Sequence, residues 1–267
     1  MATLSITAAW EETAAFVRRE GRLLFPVSFM LIALPTALVE ALTPAAVPGQ
    51  APAGGAWLLL FPIALLLSAI GNLAITCLAL RPGMSVAEAL RRGAARLIAL
   101  VGVALIVGVA LFLLFMVIVT AAVSAVPGAV EAAKAGVANE AFAKAALLSA
   151  VALLPVVVYF GARLMLVTPA AAGEDGGPLR LIGRSWSLTR GHAARLVGLL
   201  VLLFCAYGAL LIAVQSMAGL AVIALIGPPD PGSLGAFLIT LVGAGITTLV
   251  SPYLSTLIAR IHAQLSS

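Results

Sequence analysis

The chain reads as an all-α polytopic membrane protein with six transmembrane helices, arranged as three pseudo-repeated units of amphipathic interface helix plus hairpin. Three observations predict this. Of 267 residues, 63% are hydrophobic and 9% charged, against about 25% charged in soluble domains. Six apolar stretches each reach the roughly 20 residues that a bilayer core requires of a helix. Nearly all the basic residues then fall on one side of those stretches. A soluble enzyme, a disordered tail and a coiled coil are excluded on composition alone.

The apolar stretches are Leu23–Leu42, Ala56–Leu80, Leu97–Val126, Ala146–Val167, Leu196–Ile226 and Leu234–Ile258. The third and fifth exceed what the bilayer needs, so they tilt, break or project past the membrane. Before the first stretch, Met1 to Gly21 lacks a basic start and is interrupted by Glu11, Glu12, Arg18, Arg19 and Glu20. It does not read as a signal peptide. The first span serves as an anchor that keeps the N-terminus.

Thirteen arginines, from Arg18 to Arg260, lie on one predicted side, and Lys134 and Lys144 lie on the other. The positive-inside rule puts both termini in the cytoplasm of a cell whose inner membrane holds the protein. An odd number of spans would spoil that asymmetry. The net charge of +5 therefore points to anionic lipid headgroups and not to nucleic acid. Thirteen arginines to two lysines in an Ala-rich chain also fit a GC-rich bacterial genome.

Between the spans, Thr43–Gly55 and Gly227–Gly235 read as outer turns rich in Pro and Gly. Glu131–Lys134 and Glu140–Lys144 have helical pair spacing, which predicts a short helix lying on the outer surface. An internal repeat organises the other face. Arg92-Gly93-Ala94-Ala95-Arg96-Leu97 leads the third span and Arg190-Gly191-His192-Ala193-Ala194-Arg195-Leu196 leads the fifth. Arg19-Glu20-Gly21-Arg22-Leu23 leads the first in shortened form. Pro155 stands eight residues before Arg163, and Pro252 eight before Arg260. Units of about 1–81, 82–175 and 176–267 follow, within a single integral membrane domain.

Each unit begins with an amphipathic segment: Ser5–Glu20, Ser85–Arg96 and Leu179–Arg190. Such helices bury an apolar stripe at the headgroup boundary and offer arginines to phosphate. The competing reading is that these arginines only set topology.

Chemistry is sparse. His192 and His262 are the only histidines, and neither has an acid at a helical offset to orient it as a general base. Nucleophile-elbow, zinc-protease and phosphate-loop patterns are missing from the sequence, so no catalytic residue, cofactor or metal ligand is assigned. Glu174 and Asp175 read as linker acids that favour the N-terminus of the helix after them. Cys77 and Cys205 sit in apolar runs as packing residues.

Charges at mid-span, the mark of coupled carriers, do not occur: Glu40 and Arg163 stand at span ends, where they can snorkel. Small residues instead mark close helix contacts: Ala64, Ser68, Asn72 and Thr76 in one span, Gly243, Thr247, Ser251, Ser255 and Ala259 in another. Asn72 and Gln215 are the candidate interhelical polar contacts. Pro26, Pro35, Pro62, Pro155 and Pro252 interrupt spans and can kink them.

From Arg184 through His192, with Arg195-Leu196 after it, the sequence R-S-W-S-L-T-R-G-H resembles the membrane domain attached to some bacterial glycerophosphodiester phosphodiesterases. The resemblance extends to the preceding turn, Pro169 to Gly177, and loosely to the six-span layout. It implies a membrane-embedded, lipid-facing module standing alone, without the catalytic barrel that carries the phosphodiesterase reaction. Trp186 suits the interface belt, Gly191 can end a helix in a left-handed cap, and Arg190 and Arg195 bracket the bend. Arg184, Trp186, Arg190, His192 and Arg195 are the candidate headgroup residues. The function expected is a non-enzymatic, lipid-interacting module, a scaffold or an oligomer-forming protein. A transporter or lipid translocator is the alternative, and a membrane-bound lipid enzyme a weaker one.

Overall fold

The structure, a computed structural model, describes residues 5–43, 54–137, 139–230 and 233–266. Most of the first outer turn, and Pro231 and Gly232 of the last, lie outside the described residues.

Helix α1 (Ile6–Ser28) opens where the Ser5 hydroxyl accepts the Ala8 N–H at 3.3 Å, satisfying one of the free donors of a first turn. It continues through a π-helical segment, Phe29–Ala33, into α2 (Leu34–Leu42). Pro35 has no N–H to offer the preceding turn, and the ladder loosens at this point. The Thr36 hydroxyl donates to the carbonyls of Ile32 and Ala33 at 2.7 and 2.9 Å. Such bonds back to the i−4 and i−3 carbonyls satisfy the hydroxyl within the helix and favour a bend there.

Helix α3 (Trp57–Leu80) is followed by α4 (Val86–Ala125), whose Ser85 cap accepts from the Glu88 N–H at 3.2 Å. The 40 residues of α4 make it about 60 Å long, twice a bilayer core. Glycines with positive φ, Gly128 and Gly136, bound the short α5 (Ala129–Ala135). Asn139 caps α6 (Glu140–Leu164) by accepting from Phe142 N–H at 2.9 Å. Then come α7 (Val167–Gly173), α8 (Pro178–Leu188), α9 (Ala193–Leu225) and α10 (Leu234–Ser266).

Six of these segments are long and apolar enough to cross a membrane: Ile6–Leu42, Trp57–Leu80, Val86–Ala125, Glu140–Gly173, Ala193–Leu225 and Leu234–Ser266. Each packs on its neighbours in chain order, and the circuit closes where α10 meets α1; α10 also packs directly on α3. Inside the arginine-bearing end of this ring sits α7. Its Val167, Pro169, Ala170, Ala171 and Ala172 are all buried, packed against α3, α4 and α8.

The predicted interface helices are corrected in two units out of three. Ser5–Glu20 and Ser85–Arg96 are helical, but they run without a break into their spans. Only the third stands as a separate helix, α8. The physical reason lies in the repeated glycine. Gly93 stays helical and presses on α3, where an added Cβ would meet the Ile70 carbonyl oxygen at 3.1 Å and Leu73 Cβ at 3.3 Å. Gly191 has φ +87 and turns the chain between α8 and α9. The third motif is one residue longer, carrying His192, and a continuous helix would put its two arginines out of phase with those of the second.

The outer-surface helix is also divided differently from the prediction. Glu131 and Lys134 lie in α5, whereas Glu140 and Lys144 form the first turn or so of α6, paired at 2.8 Å. Of the five prolines expected to interrupt spans, Pro26, Pro62, Pro155 and Pro252 lie inside helices that continue past them, and Pro35 lies in the first turn of α2.

Candidate lipid-headgroup interface

The α8 segment is held to α6 by one arginine. Pro178, pre-set for the first helical turn, starts α8, and Leu181 and Ser185 form its buried stripe. The Ser185 hydroxyl donates to the Arg163 carbonyl at 2.7 Å, using one of the C-terminal carbonyls that α6 cannot pair itself. The Arg163 side chain reaches the other way. Its Nη1 donates to Thr189 Oγ1 at 3.3 Å and to the Trp186 carbonyl at 3.4 Å, and Nε and Nη2 both donate to the Tyr159 hydroxyl at 3.1 Å.

The same guanidinium lies 4.8 Å from the Trp186 ring centroid and 5.3 Å from that of Tyr159. Phe160 completes the aromatic group against Trp186. Arginine is suited to this task because its planar fork stacks and donates together. Read from sequence as a snorkelling charge at a span end, Arg163 in fact ties α6 to α8. Its counterpart in the Pro-x7-Arg echo, Arg260, behaves similarly: it lies 5.5 Å from the Phe16 centroid and 3.8 Å from Glu12 Oε2, tying α10 to α1.

The turn between α7 and α8 corrects a second expectation. Glu174 accepts from Arg184 Nε at 2.9 Å, and Asp175 pairs with Arg96 of α4. Arg92 Nε adds a bond to the Ala172 carbonyl at 3.3 Å. These acids therefore neutralise arginines across elements, and the N-terminal cap of α8 falls to Gly177. Among the described residues, no three His, Cys, Asp or Glu side chains converge to hold a metal.

The five candidate headgroup residues consequently divide. Arg184 is engaged by Glu174, and Trp186 by Arg163. His192 sits half-buried at the start of α9, with Nδ1 buried and without a hydrogen-bond partner. Arg190 and Arg195 are exposed, on either side of the Gly191 bend, and form no ion pair among the described residues. They remain open to a phosphate.

The small-residue ridges do meet. Ser255 Oγ of α10 donates to Asn72 Oδ1 of α3 at 2.8 Å, and Ser251 Oγ lies 3.5 Å from the same oxygen. Asn72 Nδ2 donates to the Ser68 carbonyl at 2.8 Å, so the amide is used from both ends. Beside it, an added Cβ on Gly71 would come within 2.9 Å of Ile32 Cγ1. Gln215 of α9 lays its amide over Gly243 of α10, where an added Cβ would meet Nε2 at 2.7 Å.

Sequence reasoning missed Arg163, Tyr159 and Thr189 as one unit. The only local signal was Tyr159 at helical spacing before Arg163. No curated protein and no solved structure matches this chain. Over residues 4–265 it matches the family described as a domain of unknown function, DUF7847, and it belongs to that family.

Proposed function

We propose that this multi-pass membrane protein is a non-enzymatic, lipid-interacting module whose arginine-rich end engages anionic headgroups. That end would face the cytoplasm of a cell with both termini on it, in keeping with the positive-inside rule. The carrying observation is the division of labour among the arginines. Arg96, Arg163, Arg184 and Arg260 are engaged by carboxylates, aromatic rings or backbone, while Arg190 and Arg195 stay exposed around the Gly191 turn. The likeness of Arg184–His192 to the membrane domain of glycerophosphodiester phosphodiesterases supports a lipid-facing role. The repeated arginine–glycine motifs ahead of the first, third and fifth spans support three units, 1–81, 82–175 and 176–267.

The experiment is purification with lipid retained, followed by mass spectrometry. Arg190→Gln with Arg195→Gln should lower the anionic phospholipid carried by the protein, through loss of the lipid held at the Gly191 turn by charge-assisted phosphate contacts. Unchanged lipid content in a folded variant overturns the headgroup role. The same spectra report whether the protein is a homo-oligomer, as the scaffold reading expects.

A second reading, a lipid translocator, draws on the ring itself: α7 is buried at the arginine-bearing end, and toward the other end α4 and α9 expose apolar side chains. Liposomes carrying the protein would then move labelled lipid between leaflets, and Gln215→Leu would slow that movement.

A further inference from the structure

On the flank of the ring opposite α4, helices α1, α9 and α10 enclose a groove of about 470 Å³, within the size range of ligand sites. Trp10 and Ala14 of α1, Leu203, Ala206, Tyr207 and Leu210 of α9, and Tyr253 of α10 form most of its wall. Trp10 stacks on Tyr253 with ring centroids 6.2 Å apart. The Tyr207 hydroxyl is already bonded to Thr247 Oγ1 at 3.2 Å. The wall therefore offers a ligand little but hydrocarbon and ring faces.

One residue breaks that pattern. Arg18, two turns along α1 from Trp10, also lines the groove. It is exposed and makes no ion pair or hydrogen bond among the described residues. Arg19 beside it pairs with Glu20 at 2.9 Å. An apolar channel with one unneutralised guanidinium complements an amphiphile that has a hydrocarbon chain and an anionic head. A second copy of the protein fits less well, because the lining holds no carboxylate to meet Arg18.

We propose that this groove holds one acyl chain of an anionic membrane phospholipid, with its phosphate on Arg18. The site is separate from the Gly191 turn, and it deepens the lipid-interacting reading by adding a chain-binding surface to a headgroup surface. Ala206→Phe fills the groove without touching charge, and Arg18→Gln removes the charge without filling it.

The test uses the full chain with Trp57→Phe and Trp186→Phe, so that Trp10 is the remaining indole, reconstituted with chain-brominated phosphatidylglycerol or phosphatidylcholine. Anionic brominated lipid should quench Trp10 more strongly than the zwitterionic lipid at equal mole fraction. Arg18→Gln should abolish that preference, and Ala206→Phe should reduce quenching by both, with circular dichroism showing the helices intact. Native mass spectra of the otherwise unaltered chain should show a bound phospholipid that Ala206→Phe displaces and that Arg190→Gln/Arg195→Gln leaves in place.

Equal quenching by the two lipids, or full retention in Ala206→Phe, overturns the groove while leaving the headgroup interface standing. A dimer that Ala206→Phe dissociates overturns it in favour of self-association. Wild-type protein that carries no anionic lipid at all overturns both.

Discussion

The arginine-bearing end of the molecule and the opposite end are built from the same helices but packed differently. Toward the arginines, α3 is buried at Leu73, Ala74, Ile75, Cys77, Leu78 and Ala79, and α7 fills the space between α3, α4 and α8. Toward the other end, α4 exposes Leu105, Val109, Phe112, Leu113 and Val117, and α9 exposes Ile212, Met217, Leu220 and Leu225. Yet α4 and α9 have mean hydropathies of 3.1 and 2.7 over their most apolar windows. Apolar surface is not what decides burial here. Lipid is as apolar as leucine, so helices associate by close packing and by polar contacts. Several of those devices, Gly93 and the Asn72, Arg163 and Arg184 contacts, lie toward the arginine-bearing end, while Gly235 and the Gln215–Gly243 contact join only α9 and α10 toward the other.

The sharpest way to break this comparison is to add bulk at two glycines of one helix. Gly93→Leu on α4 drives a side chain into the Ile70 carbonyl and Leu73, where an added Cβ already sits at 3.1 and 3.3 Å. Overpacking of this kind costs about 3 kcal/mol or more. Gly108→Leu on the same helix meets nothing within 4 Å and should change stability by less than about 0.5 kcal/mol. Thermal unfolding in detergent measures both. Equal losses would mean that the two ends are packed alike.

Arg163→Lys comes next in size. Lysine keeps the charge but cannot make the fork that reaches Thr189, the Trp186 carbonyl and the Tyr159 hydroxyl together. The cost should be about 2 kcal/mol, with faster amide exchange confined to α8 and the 189–192 turn. A lysine variant as stable as wild type would show that Arg163 acts as a point charge.

How much of this could be read from sequence follows the same division. The spans were legible because hydropathy is a local property, and so was the one-sided placement of arginines. The ridges were legible as stripes, since four-residue spacing puts Ser68, Asn72 and Thr76 on one face. That Ser255 would bond Asn72 was not, because the two lie 183 residues apart in sequence and only tertiary packing joins them. The Arg163 contacts failed for the same reason: Trp186 and Thr189 are 23 and 26 residues away. Gly93 and Gly191 occupy matching places in a repeated motif, yet one is a packing surface and the other a turn. A sequence shows the glycine in both places; the neighbour that decides its use is elsewhere in the chain.

The smallest effect sharpens the comparison by its dependence on salt. At the arginine-bearing end, a double-mutant cycle of Asn72→Leu and Ser255→Ala should give a coupling of about 0.6 kcal/mol, typical of polar contacts between membrane helices. At the other end, Lys144→Ala removes a pair with Glu140 whose side chains are 66% and 83% exposed. Exposed pairs at this spacing are worth about 0.3–0.5 kcal/mol, and Glu140 keeps its favourable place at the start of α6 whatever happens to Lys144. The two numbers lie close together, but their physical origins do not. Between 20 mM and 1 M salt, where the screening length falls from over 20 Å to about 3 Å, the Lys144 effect should vanish and the Asn72–Ser255 coupling should hold. A salt-insensitive Lys144 effect would mean that this pair is buried against a partner in the membrane.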